Sequence, residues 1–347
     1  DLNEPYTVGA LSFLTIGDGS TDLVKGFGVQ DSNLVVFGER NIWIVYMPDT
    51  TVSNWKIVKA NASYSSKSPY GIFNYNNKLA YPAMQNDKFV GIAALAGGTQ
   101  EPTTTYLTML AAGGETKSDR VETDMFDVQE SYVGNISSIV FQNKAYIALT
   151  KDSPNTTNNY VYVMDFSIDN ISKKQREAWS PWTGLNAAQF VIHNGSLYYG
   201  TSTATGFIYQ ENVGVYSDDG TAINSYYWTK EFSGVKIDSS FNKDFRYTNL
   251  LIDLAGDYFM DVAIKVDSDS GSGTNYPLDL NPDGSLWGTM IWGVDTWGGG
   301  SNQKDVRLYL AGSRGKRIQF KFSNRNMVGQ RFKVHWQNFT YNLKGPR

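Results

Sequence analysis

The chain has 347 residues, 41% of them hydrophobic, which is ample for one or two globular domains. Its formal net charge of −4 argues against a protein whose function is to grip nucleic acid, because that task needs clustered Lys and Arg. The absence of Cys excludes disulfides and thiolate metal sites, and two histidines leave few places for a zinc site or a Ser-His-Asp triad. Aromatic residues make up 14% and charged residues only 18%, a balance that favours strands over amphipathic helices.

A short pattern occurs four times: an apolar run, a polar turn and a second apolar run. Such turns use residues that tolerate a positive φ or that hydrogen-bond their own backbone, which is typical of β-hairpins. Because one hairpin buries too little surface to be stable alone, several in series predict blades of a β-propeller. The four hairpins are Leu34 to Phe37 with Ile42 to Val45 around Glu39-Arg40-Asn41, Ile72 to Tyr75 with Leu79 to Tyr81 around Asn76-Asn77, Ile139 to Phe141 with Ala145 to Ala148 around Asn143-Lys144, and Phe190 to Ile192 with Leu197 to Tyr199 around Asn194-Gly195.

Along the chain, about four strands in the first sixty residues predict one blade. They are residues 11–17, 24–29, 34–47 and 55–60. A second blade is expected from Ile72 and a third from Ile136, with an irregular outer hairpin or a long loop at residues 91–126. The sequence therefore predicts an all-β propeller over residues 1–215, and it leaves open whether these blades close a ring within one chain.

The pattern changes near Val215, where longer strands with cleaner alternation begin. In Arg317 to Phe322, apolar side chains occupy every second position, so one face of that strand is expected to be buried and the other wet. This predicts a β-sandwich over residues 216–347. The strands predicted there are residues 225–232, 247–253, 258–266, 305–310, 317–323 and 331–343, with a long and potentially functional loop at residues 267–300.

That loop contains the two candidate binding features. Asp267 and Asp269 alternate as in a calcium loop, but the twelfth position, where an EF-hand places a bidentate Glu, is Leu278. We expect a solvated loop there and predict no cofactor, and the sequence leaves calcium binding open. Three tryptophans, Trp287, Trp292 and Trp297, are five residues apart among glycines. They suit core packing, sugar stacking or a protein interface, and of the two binding roles a protein partner is favoured because Gly-rich arms suit docking.

Several short phrases of the chain have the form of strands and turns. They are Gly26-Phe27 with Leu34 to Val45, Trp179-Ser180-Pro181-Trp182, Leu197 to Ser202 with Gly206 to Gln210, Tyr216 to Ile223, Arg317-Ile318-Gln319-Phe320, and Gly345-Pro346-Arg347. Together they resemble a family of bacteriophage and prophage tail structural proteins that join a β-propeller to a C-terminal β-sandwich. None of these phrases is catalytic, and no catalytic residue is predicted.

The resemblance implies a non-enzymatic component of the virion, similar to tail nozzle or hub proteins, that holds neighbouring tail proteins around the DNA exit path. It also implies a homo-oligomeric ring through which DNA passes without specific binding. In the sequence itself, no segment has the apolar length of a membrane span. Residues 91–114 and 267–300 are the predicted contact regions. The alternative is a carbohydrate-binding or glycan-cleaving propeller that recognises a host surface, with the three tryptophans as stacking rings.

Overall fold

The fold was analysed in a computed structural model. The residues that the structure describes are 15–16, 22–51, 54–60, 64–75, 78–96, 103–106, 125, 127–168, 178–203, 205–211, 217–234, 241–256, 258–267, 274–281, 303–310, 312–325, 329 and 331–344. They form an all-β protein, a β-propeller followed by an antiparallel β-sandwich. The chain divides into two compact units, Asp1–Val213 and Gly214–Arg347.

The described residues of the first unit form four antiparallel sheets, each made from strands that follow one another in sequence. The first sheet contains β1 (Val24–Gln30), β2 (Asn33–Gly38), β3 (Ile42–Tyr46) and β4 (Lys56–Lys59). The second contains β5 (Phe73–Tyr75), β6 (Lys78–Gln85), β7 (Lys88–Ala96) and β8 (Thr103–Tyr106). After a short 3₁₀ helix (Glu130–Asn135), the third contains β9 (Ser137–Phe141), β10 (Lys144–Leu149), β11 (Tyr160–Asp165) and β12 (Ala178–Thr183). The fourth contains β13 (Ala187–His193), β14 (Ser196–Thr201) and β15 (Ile208–Gln210).

In the second unit, a two-stranded ribbon precedes two four-stranded sheets. The ribbon consists of β16 (Ser217–Asp218) and β17 (Thr221–Ala222). The remaining strands are β18 (Tyr226–Trp228), β19 (Asn242–Asp253), β20 (Phe259–Val266), β21 (Thr274–Asp279), β22 (Gln303–Tyr309), β23 (Arg314–Gly315), β24 (Ile318–Asn324) and β25 (Val334–Lys344). One sheet has the order β18-β24-β20-β21, and in the other β19 pairs with β22, β23 and β25. No helix in these described ranges is long and apolar enough to cross a membrane.

The four predicted hairpins are confirmed as β2/β3, β5/β6, β9/β10 and β13/β14. Their turns differ in detail from the prediction. The third turn has its positive φ angles at Gln142 and Asn143, so Lys144 already belongs to β10. The turn between β2 and β3 has no positive φ; instead the Asp22 carboxylate accepts hydrogen bonds from the Arg40 amide and the Asn41 side chain, both at 2.9 Å. Asn76 and Asn77 lie outside the described residues.

Neighbouring sheets of the first unit pack face to face, as propeller blades do. Val35 and Phe37 of the first sheet share an apolar cluster with Leu79 and Tyr81 of the second. A second cluster joins the second and third sheets, and a third joins the third and fourth sheets. The first strands of neighbouring sheets, β5, β9 and β13, also contact one another in series.

Polar side chains join the sheets where connections cross between them. Asn158 is buried, and its Nδ2 donates hydrogen bonds to the carbonyls of Asn135 at 2.8 Å and Ala187 at 3.0 Å, while its Oδ1 accepts one from the Thr150 hydroxyl at 3.2 Å. Ala187 begins the fourth sheet and Thr150 follows β10 of the third. Because a buried amide without partners costs free energy, these bonds fix how the two sheets meet.

The two four-stranded sheets of the second unit enclose a single apolar cluster. Met260, Val262 and Ile264 of β20 alternate with outward residues and pack against the β19 side chains Leu250 and Ile252. Phe320 and Phe339 lie across this core with ring centroids 6.2 Å apart. The sheets thus have one buried face each, which is the patterning that the alternation in the sequence predicts.

The predicted loop at residues 267–300 contains a strand, β21, which pairs with β20. Residues 91–126, predicted as an irregular outer hairpin or a long loop, include the end of β7 and all of β8, which pair as a hairpin at the edge of the second sheet. The alternation of apolar and polar residues is weak in both segments. Pro277 interrupts it in residues 267–300, and runs of Ala and Gly interrupt it in residues 91–126. Most of the predicted strand at residues 11–17 lies outside the described residues.

Gly71 provides a test of the packing in the first unit. A Cβ at this buried position would lie 2.6 Å from Cγ and 2.9 Å from Cδ of the Pro82 ring, which cannot rotate away. We predict that Gly71→Ala lowers the free energy of unfolding of this unit by about 1 to 3 kcal/mol, measured by urea denaturation. Gly200→Ala is the control, because nothing lies within 4 Å of its added Cβ, and it should be neutral or stabilising by up to about 1 kcal/mol. Equal effects of the two substitutions would contradict this packing.

Candidate functional site

The outward face of the sheet β18-β24-β20-β21 carries aromatic and basic side chains together. Residues paired across antiparallel strands project from the same face. Trp228 pairs with Lys321, which pairs with Ala263, and Tyr226 lies two residues before Trp228 on the same side of β18. Lys265 lies two residues after Ala263 on β20. We call Tyr226, Trp228, Lys265 and Lys321 the aromatic–lysine face.

The rings and ammonium groups of this face are in contact. Lys321 Nζ lies 4.5 Å from the centroid of the Tyr226 ring and 5.7 Å from that of Trp228, and Lys265 Nζ lies 4.8 Å from the Trp228 ring. Tyr226 is 56% exposed, whereas Trp228 and both lysines are half-buried. The ammonium groups of both lysines therefore lie over the aromatic rings, so the face is aromatic and basic at the same place.

Further polar groups border these side chains. Arg325 lies over the Phe259 ring at 4.9 Å, and its Nη2 donates to Asp261 Oδ1 at 3.0 Å, so the carboxylate of Asp261 has a cation beside it. Ser323 and Asn275 share the outward side by pairing with Asp261 and Ala263, respectively. Within the described ranges, no carboxylate lies within ion-pair distance of Lys265 or Lys321. The face has an excess of positive charge in a chain whose net charge is −4.

The second sheet of the sandwich carries a histidine–carboxylate pair. His335 of β25 is hydrogen-bonded to Asp253 Oδ1 at the end of β19, and Lys333 Nζ lies 3.7 Å from Asp253 Oδ2. The hydrogen bond from His335, aided by the positive charge of Lys333, holds the pKa of Asp253 below its ordinary value. In the described part of the chain, the hydrogen-bond partners of the His335 ring are Asp253 and Gln303 and not a Ser or Thr hydroxyl, so these described residues do not form a Ser-His-Asp triad.

Of the candidate binding residues named in the sequence, Asp267 lies within the described part of the chain. Trp287, Trp292 and Trp297 fall outside the described residues, so their role stays a prediction, and Asp269 also falls outside. Asp267 Oδ1 accepts hydrogen bonds from the amides of Lys316 at 2.7 Å and Arg317 at 2.8 Å, which assigns this carboxylate to a turn. In the ranges that the structure describes, no group of three His, Asp or Glu side chains could hold a metal ion.

The sequence prediction missed the aromatic–lysine face, although two signals for it were present. Tyr226-Tyr227-Trp228 lies within a predicted strand, and Lys321 lies on the predicted wet side of Arg317 to Phe322. Recognising that Tyr226, Trp228 and Lys321 are neighbours requires the pairing of β18 with β24, whose paired residues are more than ninety positions apart. Alternation assigns a residue to a face, but it does not identify the partner strand.

The chain was also compared with known proteins. No family model and no curated protein matches it. An exo-β-1,3-galactanase from Phanerochaete chrysosporium matches with a TM-score of 0.32 and 10% identity, covering 95% of this chain and 83% of that one. A family 32 β-fructofuranosidase from Bombyx mori matches with a TM-score of 0.28 and 11% identity, covering 95% and 80%. A family 43 arabinoxylan arabinofuranohydrolase from Bacillus subtilis matches with a TM-score of 0.22 and 10% identity, covering 91% and 66%.

These solved structures are glycoside hydrolases and not phage tail proteins. This finding contradicts the predicted membership of a phage tail family, the predicted tail function and the prediction that the chain is not an enzyme. The described phrases behind that resemblance are strands and turns, such as Leu34 to Val45 in β2 and β3 and Ile318 to Phe320 in β24, so they indicated a fold and not a family. The tail-protein, ring and DNA partners and the virion location, predicted with them, stay untested predictions.

The Asp253–His335 pair makes the stability of the second unit pH-dependent. A carboxyl group whose pKa is lowered on folding stabilises the folded state at pH values above its pKa in the unfolded chain, which is about 4. This stabilisation is lost as the pH falls through the pKa that the group has in the folded protein. We predict that His335→Ala raises the pKa of Asp253, measured by carboxyl carbon NMR titration. The control His193→Ala changes a strand histidine of the first unit and should leave the Asp253 titration unchanged. An unaltered titration in His335→Ala would show that another group lowers this pKa.

Proposed function

We propose that this chain binds carbohydrate through the aromatic–lysine face of its β-sandwich. The observation that carries the proposal is the placement of Tyr226 and Trp228 side by side on an outward sheet face, surrounded by hydrogen-bonding groups. Pyranose rings present a flat surface of C–H groups, for which an exposed aromatic ring is a suitable stacking partner. Hydroxyl groups at the sugar edge need donors and acceptors at the same time.

The groups around the rings meet that second requirement. Lys265 and Lys321 are donors, and the Ser323 hydroxyl and the Asn275 amide can both donate and accept. Because these side chains project from paired strands and not from loops, their spacing is set by the sheet register. A preformed surface of this kind loses little conformational entropy when a ligand binds.

The face accounts for binding and not for bond cleavage. Hydrolysis of a glycosidic bond uses two carboxyl groups that face each other across the sugar. Among the described residues, the carboxylate that borders these rings is that of Asp261, and Arg325 pairs with it. We therefore propose the aromatic–lysine face as a recognition surface for a glycan.

The test is a glycan array followed by titration calorimetry with the purified chain. We predict saturable binding to at least one glycan, and Trp228→Ala and Tyr226→Ala should each weaken it by about threefold to tenfold, because each removes one stacking ring. Tyr309→Ala is the matched control, since Tyr309 is 67% exposed on β22 of the other sheet. Circular dichroism of each variant checks that the fold is retained.

Two outcomes would contradict this function. The first is the absence of saturable binding across the array. The second is a glycan affinity that Trp228→Ala and Tyr226→Ala leave unchanged, or that Tyr309→Ala lowers equally, since either result would place the binding surface elsewhere.

A further inference from the structure

The charge of the aromatic–lysine face indicates which sugars it prefers. Lys265 and Lys321 have no carboxylate within ion-pair distance in the described ranges, whereas Arg325 beside them is paired with Asp261. With a neutral sugar bound, the described residues would provide no counter-charge for either ammonium group. A sugar that carries a negative charge close to its own pyranose ring would provide that counter-charge.

The distances limit where that negative charge must lie. The two ammonium groups are 4.5 to 5.7 Å from the centres of the rings on which a sugar would stack. The anionic group must therefore be close to the pyranose ring itself. In a hexuronic acid the carboxylate is bonded directly to a ring carbon, whereas a sulfate ester is held further out through an ester oxygen.

The positions of the two lysines favour the attraction of an anionic sugar to this face. Both lysines are half-buried residues whose ammonium groups lie over aromatic rings, so their charges have preferred positions beside the proposed stacking surface. The chain as a whole has a net charge of −4, which disfavours indiscriminate binding of polyanions. Attraction of an anionic sugar is thus local to this face.

From these observations we propose that the aromatic–lysine face recognises a uronic acid polysaccharide, with Tyr226 and Trp228 stacking on the sugar and Lys265 and Lys321 binding its carboxylates. This inference rests on the carbohydrate-binding function proposed above and assigns the class of its ligand. Binding is non-covalent, and the carboxylates stay ionised.

The experiment compares polygalacturonate with its fully methyl-esterified form, which has the same sugar backbone without the charge. The native chain should bind polygalacturonate more tightly, and increasing ionic strength should reduce that difference. The double variant Lys265→Gln/Lys321→Gln should weaken binding of polygalacturonate by about tenfold or more and weaken binding of the ester much less, because the Gln amide still donates hydrogen bonds to sugar hydroxyls but carries no charge. Titration calorimetry provides both affinities.

Lys59→Gln is the matched control. Lys59 Nζ also lies over a tryptophan, 5.8 Å from the Trp43 ring, but in the first unit. It should leave both affinities unchanged. Trp228→Ala should weaken binding of both polysaccharides, because stacking does not depend on the charge of the sugar.

The outcomes separate this inference from the function on which it rests. Equal affinity for the two polysaccharides, unaffected by the lysine variant, would overturn the uronate preference and leave carbohydrate binding intact. Binding of dextran sulfate or duplex DNA as tightly as polygalacturonate would also overturn it, since the face would then respond to charge alone. Loss of binding to every glycan tested would overturn the proposed function itself.

Discussion

The alternation of side chains across the two faces of a strand is the constraint on which the structure depends. In the first unit, successive residues such as Val35, Val36 and Phe37 are all buried, because other apolar side chains cover both sides of their sheet. In the second unit, Phe320 and Phe322 are buried while Lys321 between them is half-exposed. The sheet that contains β24 therefore has an outward face, and the strand register decides which side chains meet there.

Packing on that outward face is stabilised by modest interactions that act together. A lysine over an exposed aromatic ring contributes about 0.5 to 1 kcal/mol, less than one well-packed core side chain. Trp228 takes part in two such contacts, with Lys265 and Lys321. The stability of the unit comes from the core beneath, around Phe320 and Met260, so the side chains above it are under less structural constraint and can serve recognition.

The fold was predictable from sequence to the extent that its signals are local. The hairpins and most sandwich strands follow from turn residues and alternation, and where those signals are weak, as in β21 with its Pro277, the strand was missed. Function was predicted wrongly because the turn and hairpin phrases report backbone geometry, which unrelated activities share. The aromatic–lysine face depends on pairing between Trp228 and Lys321, a contact between distant parts of the chain that no short pattern encodes.

The hydrogen bonds of Asn158 have a consequence for how this protein ages. An aspartate has nearly the same shape as asparagine, but both of its terminal atoms are acceptors when it is ionised. Hydrolytic loss of ammonia from Asn158 would put a carboxylate against the carbonyl oxygens of Asn135 and Ala187, turning two attractions into repulsions. Deamidation at this one buried position would thus loosen the junction between the third and fourth blades without changing the volume of any side chain.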